Sequence, residues 1–346
     1  MTAVIFDRVS IVFGDHPDRA LPLMDKGLTR SEIQTRTGQI LGVHDCSLTV
    51  GEGEILVLMG LSGSGKSTLL RGVNALNPVV RGEVRVLDGD KMVSVTKADK
   101  NSLRHLRLNR IAMVFQQFGL LPWRTVRDNV GLGLELAGQS PDQRRAAVED
   151  QLKLVNLSQW ADRKVGELSG GMQQRVGLAR AFATQAPILL MDEPFSALDP
   201  LIRARLQDEL LDLQAKLKRT IIFVSHDLDE AFKLGDRIAL MEGGRIVQIG
   251  TAREIIAGPA SDYVADFVAH MNPLAVLTAR DVMESLAKVR GDGSPAASVD
   301  CELPVKQVMD LLSKGVAELA VTEAGQKIGL IRAASLMARL INPRNG

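Results

Sequence analysis

The sequence predicts an α/β fold built around a parallel β-sheet, and three observations support this prediction. The apolar run Ile55–Met59 leads into a glycine-rich loop, which is followed by the helical segment Lys66–Ala75. The runs Ile188–Met191 and Thr220–Val224 are also apolar, and each ends in polar side chains. Buried parallel strands are near-continuously apolar, and their carboxyl ends carry the ligand-binding groups. The chain is therefore expected to place several functional side chains at one edge of one sheet.

The glycine-rich loop is Gly60–Thr68, and it fits the pattern G-x-x-x-x-G-K-[ST]. Its glycines allow backbone N–H groups to converge on phosphate oxygens, and the N-terminus of the following helix adds a positive dipole end. We expect Lys66 to reach the β- and γ-phosphates, Ser67 to bind Mg²⁺, and Thr68 to lie near the α-phosphate. A plain glycine turn is the alternative. The predicted nucleotide-binding residues of this loop are Gly60, Ser62, Gly63, Ser64, Gly65, Lys66, Ser67 and Thr68.

Composition argues against several classes of function. Lys and Arg number 42 against 41 Asp and Glu, and aromatic residues make up 3%, so neither a basic field nor stacking platforms for nucleic acid are expected. Cys46 and Cys301 lie far apart without metal-binding spacing, which predicts two buried thiols in a reducing compartment. We expect no signal peptide and no membrane span, because no apolar run approaches the roughly 20 residues that a span needs. A membrane role would therefore require a partner.

Carboxylate, amide and imidazole groups follow three of the predicted strands. Asp192 and Glu193 end one strand, where successive residues point in different directions. Asp192 can therefore hold Mg²⁺ through its water shell while Glu193 faces the γ-phosphate and the attacking water. Gln116 ends the run Ile111–Phe115 and can reach Mg²⁺ or the attacking water. His226 follows Thr220–Val224, where hydrogen bonding to a γ-phosphate is the functional interpretation. A solvated strand end and a structural histidine are the alternatives.

A second anion-binding pattern lies in Leu168–Arg175. Its Ser169, Gly170 and Gly171 stand at the start of a helical pattern, where they would form another cradle for an anion. One nucleotide has no evident use for two cradles on the same chain, so we expect this one to close on a nucleotide held by another copy. A simple N-capped helix is the alternative.

Two aromatic residues and one inserted segment remain open to more than one interpretation. Phe13 ends the predicted strand Val4–Phe13, where it would stack on adenine or pack in the core. Trp123 lies in a predicted loop, where it would contact a partner or cap a local core. The segment of residues 14–40 is predicted to be a helical insertion with a capping box at Thr29–Glu32, and its residues indicate no function.

The C-terminal part of the chain predicts a smaller unit. Asn272–Pro273 marks a boundary, which divides the chain into residues 1–271 and 272–346, and Gly291–Ala296 has the composition of a linker. Helix Val305–Lys314, strands Glu318–Thr322 and Lys327–Ile331, and helix Ala333–Leu340 would then form a small α+β unit.

Taken together, these motifs resemble those of an ABC-type ATPase over roughly residues 1–270. In order, they resemble its Walker A motif, Q-loop, signature, Walker B motif with the catalytic glutamate, D-loop and H-loop; the matching residues are Gly60–Thr68, Gln116, Leu168–Arg175, Ile188–Glu193, Ser196–Asp199 and His226. Four stretches resemble the glycine betaine/choline/proline uptake branch: Phe13–Ala20, the inserted segment through Gly38, Met59–Ser67 and Phe195–Ile202. The tail from Ala279–Met283 onward resembles a single CBS motif, whereas that branch often has a tandem pair.

The resemblance implies a RecA-like P-loop core with antiparallel β and helical subdomains, followed by the CBS-like α+β unit. It implies ATP and Mg²⁺ as cofactors, a ring face from Phe13 for adenine, and Asp199 acting in trans with Ser169, Gly170 and Gly171. Glu193, Gln116 and His226 would be the catalytic residues, and Ser67, Gln116 and Asp192 would hold Mg²⁺.

The resemblance also implies partners and a location. A second copy would complete an ATP-sandwich dimer, and transmembrane permease subunits would receive its motion through the segment Gln116–Arg127, with Trp123 as a contact. A periplasmic or extracellular substrate-binding protein would act indirectly, and the chain would lie at the cytoplasmic face of the plasma membrane. The expected function is ATP-driven import of a quaternary amine such as choline, glycine betaine or proline betaine. A soluble, non-transport ABC ATPase is the alternative, and it usually carries coiled-coil, zinc or tandem ATPase insertions that this sequence lacks.

Overall fold

The computed structural model describes residues 1–116, 119–196, 198–269, 277–285, 297–334 and 336. Packing divides the chain into two units, Met1–Val247 and Gln248–Gly346. The predicted boundary at Asn272–Pro273, the linker Gly291–Ala296 and most of the predicted helix Ala333–Leu340 lie outside the described residues. The domain division at residue 271 therefore stays a prediction.

The first unit alternates strands and helices along the chain. Its strands, the last of which reaches past the unit boundary, are β1 (Thr2–Phe13), β2 (Ile40–Gly51), β3 (Ile55–Met59), β4 (Arg81–Asp88), β5 (Lys91–Ser94), β6 (Ile111–Val114), β7 (Ile188–Asp192), β8 (Thr220–Val224), β9 (Arg237–Glu242) and β10 (Arg245–Gly250). Its helices are α1 (Leu21–Asp25), α2 (Arg30–Thr37), α3 (Lys66–Leu70), α4 (Lys100–Asn109), α5 (Val126–Val130), α6 (Leu132–Leu136), α7 (Pro141–Leu154), α8 (Gly170–Ala183), α9 (Pro200–Leu217) and α10 (Leu228–Leu234).

The predicted parallel sheet is present, with the strand order β10-β9-β3-β8-β7-β6. The pairs β3–β9, β3–β8, β7–β8 and β6–β7 are all parallel. Every residue of β3, β7 and β8 is buried, which explains why these strands are apolar throughout. Because the strands are parallel, the loops after β3, β6, β7 and β8 leave the same edge of the sheet.

Helix α3 is shorter than the sequence predicted. It ends at Leu70 rather than at Ala75, and the chain continues in tight turns in which Gly72 N–H donates to Leu69 O at 3.0 Å and Val73 N–H to Leu70 O at 3.1 Å. Ala75 has a φ of 54°, a left-handed conformation that an α-helix cannot include. The turns therefore end the helix shortly after the phosphate loop.

An antiparallel sheet with the order β2-β1-β4-β5 lies in the same unit. The inserted segment between β1 and β2 is helical, as the capping box predicts, with α1 and α2 packed on this sheet. Their shared core comprises Val12, Ala20, Met24, Ile33 and Leu41, all buried. A separate helical core is formed by α5, α7 and α8, including the buried Val130, Leu152 and Val176.

The second unit is a smaller α+β structure. Its elements are α11 (Ala252–Ala257), α12 (Asp262–Ala269), α13 (Ala279–Val282), β11 (Glu284–Ser285), β12 (Ala297–Asp300), α14 (Val305–Ser313), β13 (Glu318–Glu323) and β14 (Gln326–Arg332). The sheet order is β11-β14-β13-β12, in which only the β12–β13 pair among the described strands is parallel. This arrangement is consistent with the predicted CBS-like unit. Cys46 and Cys301 are both free and buried, as predicted.

Candidate active site

A cavity of about 540 Å³ opens at the carboxyl edge of the parallel sheet. The residues that line it come from the phosphate loop, the ends of β1, β6, β7 and β8, the start of β2, and helix α2. They are Phe13, Arg30, Ile40, Leu41, Gly42, Ser62, Gly63, Gly65, Lys66, Ser67, Thr68, Gln116, Glu193 and His226. The parallel register thus brings together groups that are far apart in sequence.

Lys66 lies at the floor of this cavity and is 6% exposed. Its Nζ donates to Gly60 O at 2.8 Å and to Leu61 O at 3.0 Å, so the ammonium is folded back onto its own loop. Burial lowers the pKa of Lys66, and the nearby carboxylates of Glu193 and Asp192 oppose this shift. A polyphosphate entering the cavity would offer this ammonium a stronger, charged partner than two neutral carbonyls.

Ser67 and Asp192 face each other across the sheet edge. The Ser67 hydroxyl donates to Asp192 Oδ1 at 2.6 Å, while Arg71 Nη2 donates to Asp192 Oδ2 at 2.8 Å. Asp192 is fully buried, so these two bonds compensate a carboxylate that has lost its hydration. Arg71 is not among the residues that the sequence motifs predict.

The residues expected to hold Mg²⁺ fit that ion. Ser67, Asp192 and Gln116 supply hydroxyl, carboxylate and amide oxygens, which are the hard ligands that Mg²⁺ prefers. Among the described residues, no cluster of three or more His, Cys, Asp and Glu side chains is placed to hold a metal. Phosphate oxygens and water would therefore have to complete the coordination.

Glu193 is the centre of a polar trio at the cavity mouth. Its Oε2 accepts a hydrogen bond from Gln116 Nε2 at 3.1 Å and lies 3.3 Å from His226 Nδ1. The backbone of Glu193 has a φ of 47°, an uncommon conformation for a residue other than glycine, and its N–H donates to Val224 O at 3.2 Å. This turn at the end of β7 directs Asp192 into the interior, where it does not line the cavity, and Glu193 toward the cavity. The predicted roles of Asp192 toward Mg²⁺ and of Glu193 toward water stay predictions.

Apolar side chains also line the cavity, among them Phe13, Ile40 and Leu41. Phe13 is half-buried there and pairs with Ile40 across β1 and β2. A Cβ added to Gly42 would lie 2.9 Å from both the Phe13 ring and the Thr68 methyl group, so glycine is needed for this close packing. Phe13 therefore presents a ring at the cavity, where a flat heterocycle could stack. No sequence motif predicts the contribution of Gly42.

Arg30 is the unexpected charged group of the cavity. It begins α2 in the inserted segment, and its guanidinium donates from Nη1 to Gly63 O and from Nη2 to Gly42 O. Burial lowers its pKa from the usual value for arginine. No pattern in the sequence predicts this placement, because it depends on how the insertion packs on β1 and β2.

Several predicted residues lie outside this cavity. Gly60 and Ser64 belong to the phosphate loop, but they are buried and do not line the cavity. Ser169 caps α8 and Asp199 caps α9, where their side chains accept hydrogen bonds from Met172 N at 3.4 Å and Ile202 N at 3.0 Å. Ser169, Gly170 and Asp199 are exposed, Gly171 is half-buried, and none of the four reaches the cavity of its own chain.

Two further observations concern possible contacts with partners. The Trp123 side chain is 69% exposed, so it does not cap a local core. In the part of the chain that the structure describes, no helix combines the length and the apolar character that crossing a membrane requires.

Comparisons with known proteins agree with this geometry. The model of the ABC transporter family matches residues 43–196. Over 271 residues the chain is 52% identical to ProV of Salmonella typhimurium, a glycine betaine/proline betaine transport system ATP-binding protein, covering 78% of this chain and 67% of ProV. It is 38% identical over 392 residues to GbuA of Listeria monocytogenes, a glycine betaine/carnitine transport ATP-binding protein, covering 98% of each.

A solved structure shares the fold. The dimeric structure of the ATP-binding cassette MJ0796 in a post-hydrolysis state, bound to ADP and Pi, matches with a TM-score of 0.61 at 30% identity and covers 72% of this chain and 98% of that one. The predicted ABC ATPase fold and the predicted family are both confirmed. The chain belongs to the ABC transporter family, as an ATP-binding subunit related to the betaine transport proteins ProV and GbuA.

Proposed function

We propose that this chain hydrolyses ATP in the cavity at the edge of its parallel sheet and thereby drives the import of a quaternary amine. One observation carries the hydrolytic part of the proposal. The Glu193 carboxylate lies between Gln116 and His226 at the mouth of a cavity whose floor is the phosphate loop. A general base must come within hydrogen-bond reach of the attacking water, and Glu193 lines the cavity in which that water would stand.

The residues divide the chemistry among them. The loop N–H groups and Lys66 hold the phosphates, with Lys66 exchanging its loop carbonyls for phosphate oxygens, while Phe13 stacks on the adenine. Glu193 orients or deprotonates the water, and His226 donates a hydrogen bond to the γ-phosphate. Ser67, Gln116 and Asp192 would hold Mg²⁺, which would supply positive charge against the phosphate oxygens.

A second copy of the chain completes the site in this proposal. Ser169, Gly170 and Gly171 stand at the N-terminus of α8 with Ser169 and Gly170 exposed, a place where backbone N–H groups can bind an anion. They and Asp199 do not reach the cavity of their own chain. Support comes from the dimeric form of the similar cassette MJ0796. The two chains would pair head-to-tail, with each nucleotide between Lys66 of one and Ser169 of the other.

The transport part of the proposal rests on the relatives. ProV and GbuA are named as ATP-binding proteins of betaine and carnitine transport systems. This chain would bind transmembrane permease subunits at the cytoplasmic face of the plasma membrane, with the exposed Trp123 as a contact. A substrate-binding protein outside the membrane would deliver choline, glycine betaine or proline betaine. The unit of residues 272–346 would be an accessory, CBS-like element.

The experiment is uptake of labelled choline and, separately, glycine betaine and proline betaine by cells that express the chain together with its permease and binding-protein partners. The matched control is the same system carrying Lys66→Ala, which removes the phosphate-binding ammonium. A second control, Lys91→Ala, removes an exposed lysine of β5 that lies outside the cavity.

We expect uptake of at least one of these solutes, its loss in Lys66→Ala and its retention in Lys91→Ala. Uptake that persists in Lys66→Ala would contradict the role of the loop. Absence of Lys66-dependent uptake, with ATP hydrolysis intact in the purified chain, would contradict the quaternary amine assignment while leaving the hydrolytic site in place.

A further inference from the structure

We infer that the inserted segment of residues 14–40 delivers Arg30 to the phosphate loop, and that Arg30 is a positioning residue that holds this loop in the shape that admits a nucleotide. The inference rests on the proposed nucleotide site and assigns a role to a segment whose sequence indicated none. Arg30 acts through the loop backbone, because both of its terminal nitrogens are bonded to carbonyl groups.

The contacts of the guanidinium join two separate backbone segments. Nη1 donates to Gly63 O in the phosphate loop, and Nη2 donates to Gly42 O at the start of β2. The rigid planar fork of arginine suits this bridge, since its two terminal nitrogens point to two acceptors at a fixed spacing. Arg30 therefore fixes the phosphate loop relative to a strand of the antiparallel sheet.

A third backbone segment closes around the same group. A Cβ added to Gly244, in the turn between β9 and β10, would lie 2.6 Å from Arg30 Nη2, and one added to Gly65 would lie 3.5 Å away. Gly244 N–H donates to Ser64 O at 3.0 Å, and Gly244 O accepts from His44 N–H at 2.7 Å. The guanidinium therefore sits where the phosphate loop, β2 and the β9–β10 turn meet.

The insertion is built to hold Arg30 in this position. The residue before it, Thr29, forms a capping box with Glu32, in which Thr29 N–H donates to Glu32 Oε2 at 2.8 Å. One turn later, Ile33 is fully buried in the core that α2 shares with β1 and β2. The start of α2 is thus fixed by a cap and by an apolar anchor, and the arginine between them has little freedom to move.

The expected consequence concerns nucleotide affinity rather than the chemical step. A loop that is already in its binding shape costs less to order when the phosphates arrive, so Arg30 should lower the Kd for nucleotide. The polar trio around Glu193 belongs to other strands and does not include Arg30. A loss of Arg30 should therefore raise KM for MgATP while leaving kcat at saturation largely unchanged.

The test compares four full-length proteins: the wild type, Arg30→Ala, Arg30→Lys and the control Arg36→Ala, which removes an exposed arginine from the same helix. Calorimetry with MgADP gives Kd, and steady-state hydrolysis of MgATP gives kcat and KM. Both are repeated for Arg30→Ala with millimolar guanidinium chloride, which can refill the vacated space. Circular dichroism verifies folding, and Arg30→Lys decides the matter if Arg30→Ala does not fold.

We expect Kd and KM to rise about tenfold in Arg30→Ala, the scale of one lost charge-assisted hydrogen bond, with Arg36→Ala unchanged. Arg30→Lys should be intermediate, and guanidinium should restore part of the affinity of Arg30→Ala. Equal Kd values for Arg30→Ala and Arg36→Ala would overturn the inference about Arg30 and leave the proposed function standing. A loss of kcat without a change of Kd would have the same consequence. A wild-type chain that binds no nucleotide would overturn the proposed function as well.

Discussion

His226 Nδ1 lies 3.3 Å from Glu193 Oε2, and the two residues follow adjacent parallel strands of the same sheet. The side chain of Glu193 is 18% exposed and that of His226 is 60% exposed, so the pair stands between the protein interior and the open cavity. In the proposed mechanism the carboxylate would accept a proton from water and the imidazole would face the incoming phosphate.

Replacing Glu193 with glutamine should separate binding from hydrolysis. Glutamine keeps the size of the side chain but is not a base, so ATP hydrolysis should fall by about 10²–10⁴-fold while nucleotide affinity stays near that of the wild type. Phosphate release and MgATP binding measure the two effects. Glu52→Gln, which changes an exposed carboxylate on the β2–β3 turn, serves as the matched control.

The same variant tests the sandwich dimer. With saturating MgATP, Glu193→Gln should sediment as a dimer, because unhydrolysed ATP would keep the two chains together. A monomer under these conditions would contradict the role proposed for Ser169, Gly170, Gly171 and Asp199.

Phe13 should contribute a ring face to the nucleotide site. In Phe13→Ala the Kd for MgATP should rise about fivefold to 150-fold, because stacking of a base on an aromatic ring contributes about 1–3 kcal/mol. Phe13→Tyr keeps the ring and should bind as the wild type does. Equal affinities of the alanine and tyrosine variants, measured by calorimetry, would indicate that Phe13 is only a core residue.

Arg71 should stabilise the fold through Asp192. Removing its guanidinium in Arg71→Ala leaves a fully buried carboxylate with one fewer partner, and because Arg71 itself is 37% exposed, we expect a loss of about 1–3 kcal/mol in the free energy of unfolding. Urea unfolding measures this loss. Arg205→Ala is the control, because it breaks a surface ion pair with Glu209. It should lower the free energy of unfolding by less than about 1 kcal/mol. Equal costs for the two variants would contradict the importance of the buried partner.

Ile33 should anchor the insertion. Its side chain is fully buried, so Ile33→Ala is expected to lower the free energy of unfolding by about 2–4 kcal/mol through lost burial and the cavity left behind. The exposed Leu217 at the end of α9 provides a control. Leu217→Ala should change the free energy of unfolding by about 0.5 kcal/mol or less. A neutral effect of Ile33→Ala would mean that α2 is not held by this contact.

Glu230 should make stability depend on pH. It is 7% exposed, accepts a hydrogen bond from Gln207 Nε2 at 3.0 Å, and bonds with the Ser225 hydroxyl at 2.5 Å. Burial raises the pKa of Glu230 above its usual 4.5, so the folded chain keeps the carboxyl protonated at a pH where the unfolded chain has lost the proton. The stability that this proton supplies is present below pH 4.5 and is lost as the pH rises through the folded pKa.

Glu230→Gln removes this dependence, because glutamine is neutral at every pH. Urea unfolding of both proteins from pH 4.5 to about pH 8 should therefore show the wild type losing stability relative to Glu230→Gln as pH rises. Parallel curves for the two proteins would contradict the raised pKa.

The parallel sheet and most of the cavity were predictable from the sequence. A phosphate loop after an apolar strand, and polar residues after three further strands, are local patterns, and parallel strands place their carboxyl ends at one edge whatever the strand order. This is why Lys66, Gln116, Glu193 and His226 could be assigned to one site from the sequence. Helix ends were less predictable: α3 stops after Leu70 because tight turns and the left-handed Ala75 redirect the chain, which periodicity alone does not register.

Other members of the site depend on contacts between segments that are distant in sequence. Arg71 reaches Asp192 over 121 residues, and Gly42 owes its importance to the Phe13 ring and the Thr68 methyl group that pack on it. Arg30 had no chemical motif around it, and only the packing of α2 on β1 and β2 directs its guanidinium into the phosphate loop. Local sequence thus determined which strands carry the candidate catalytic groups, since an apolar strand and the polar residues that follow it are local patterns. Tertiary packing alone decided which charges support those groups, because it is the burial of apolar faces that brings separate segments together.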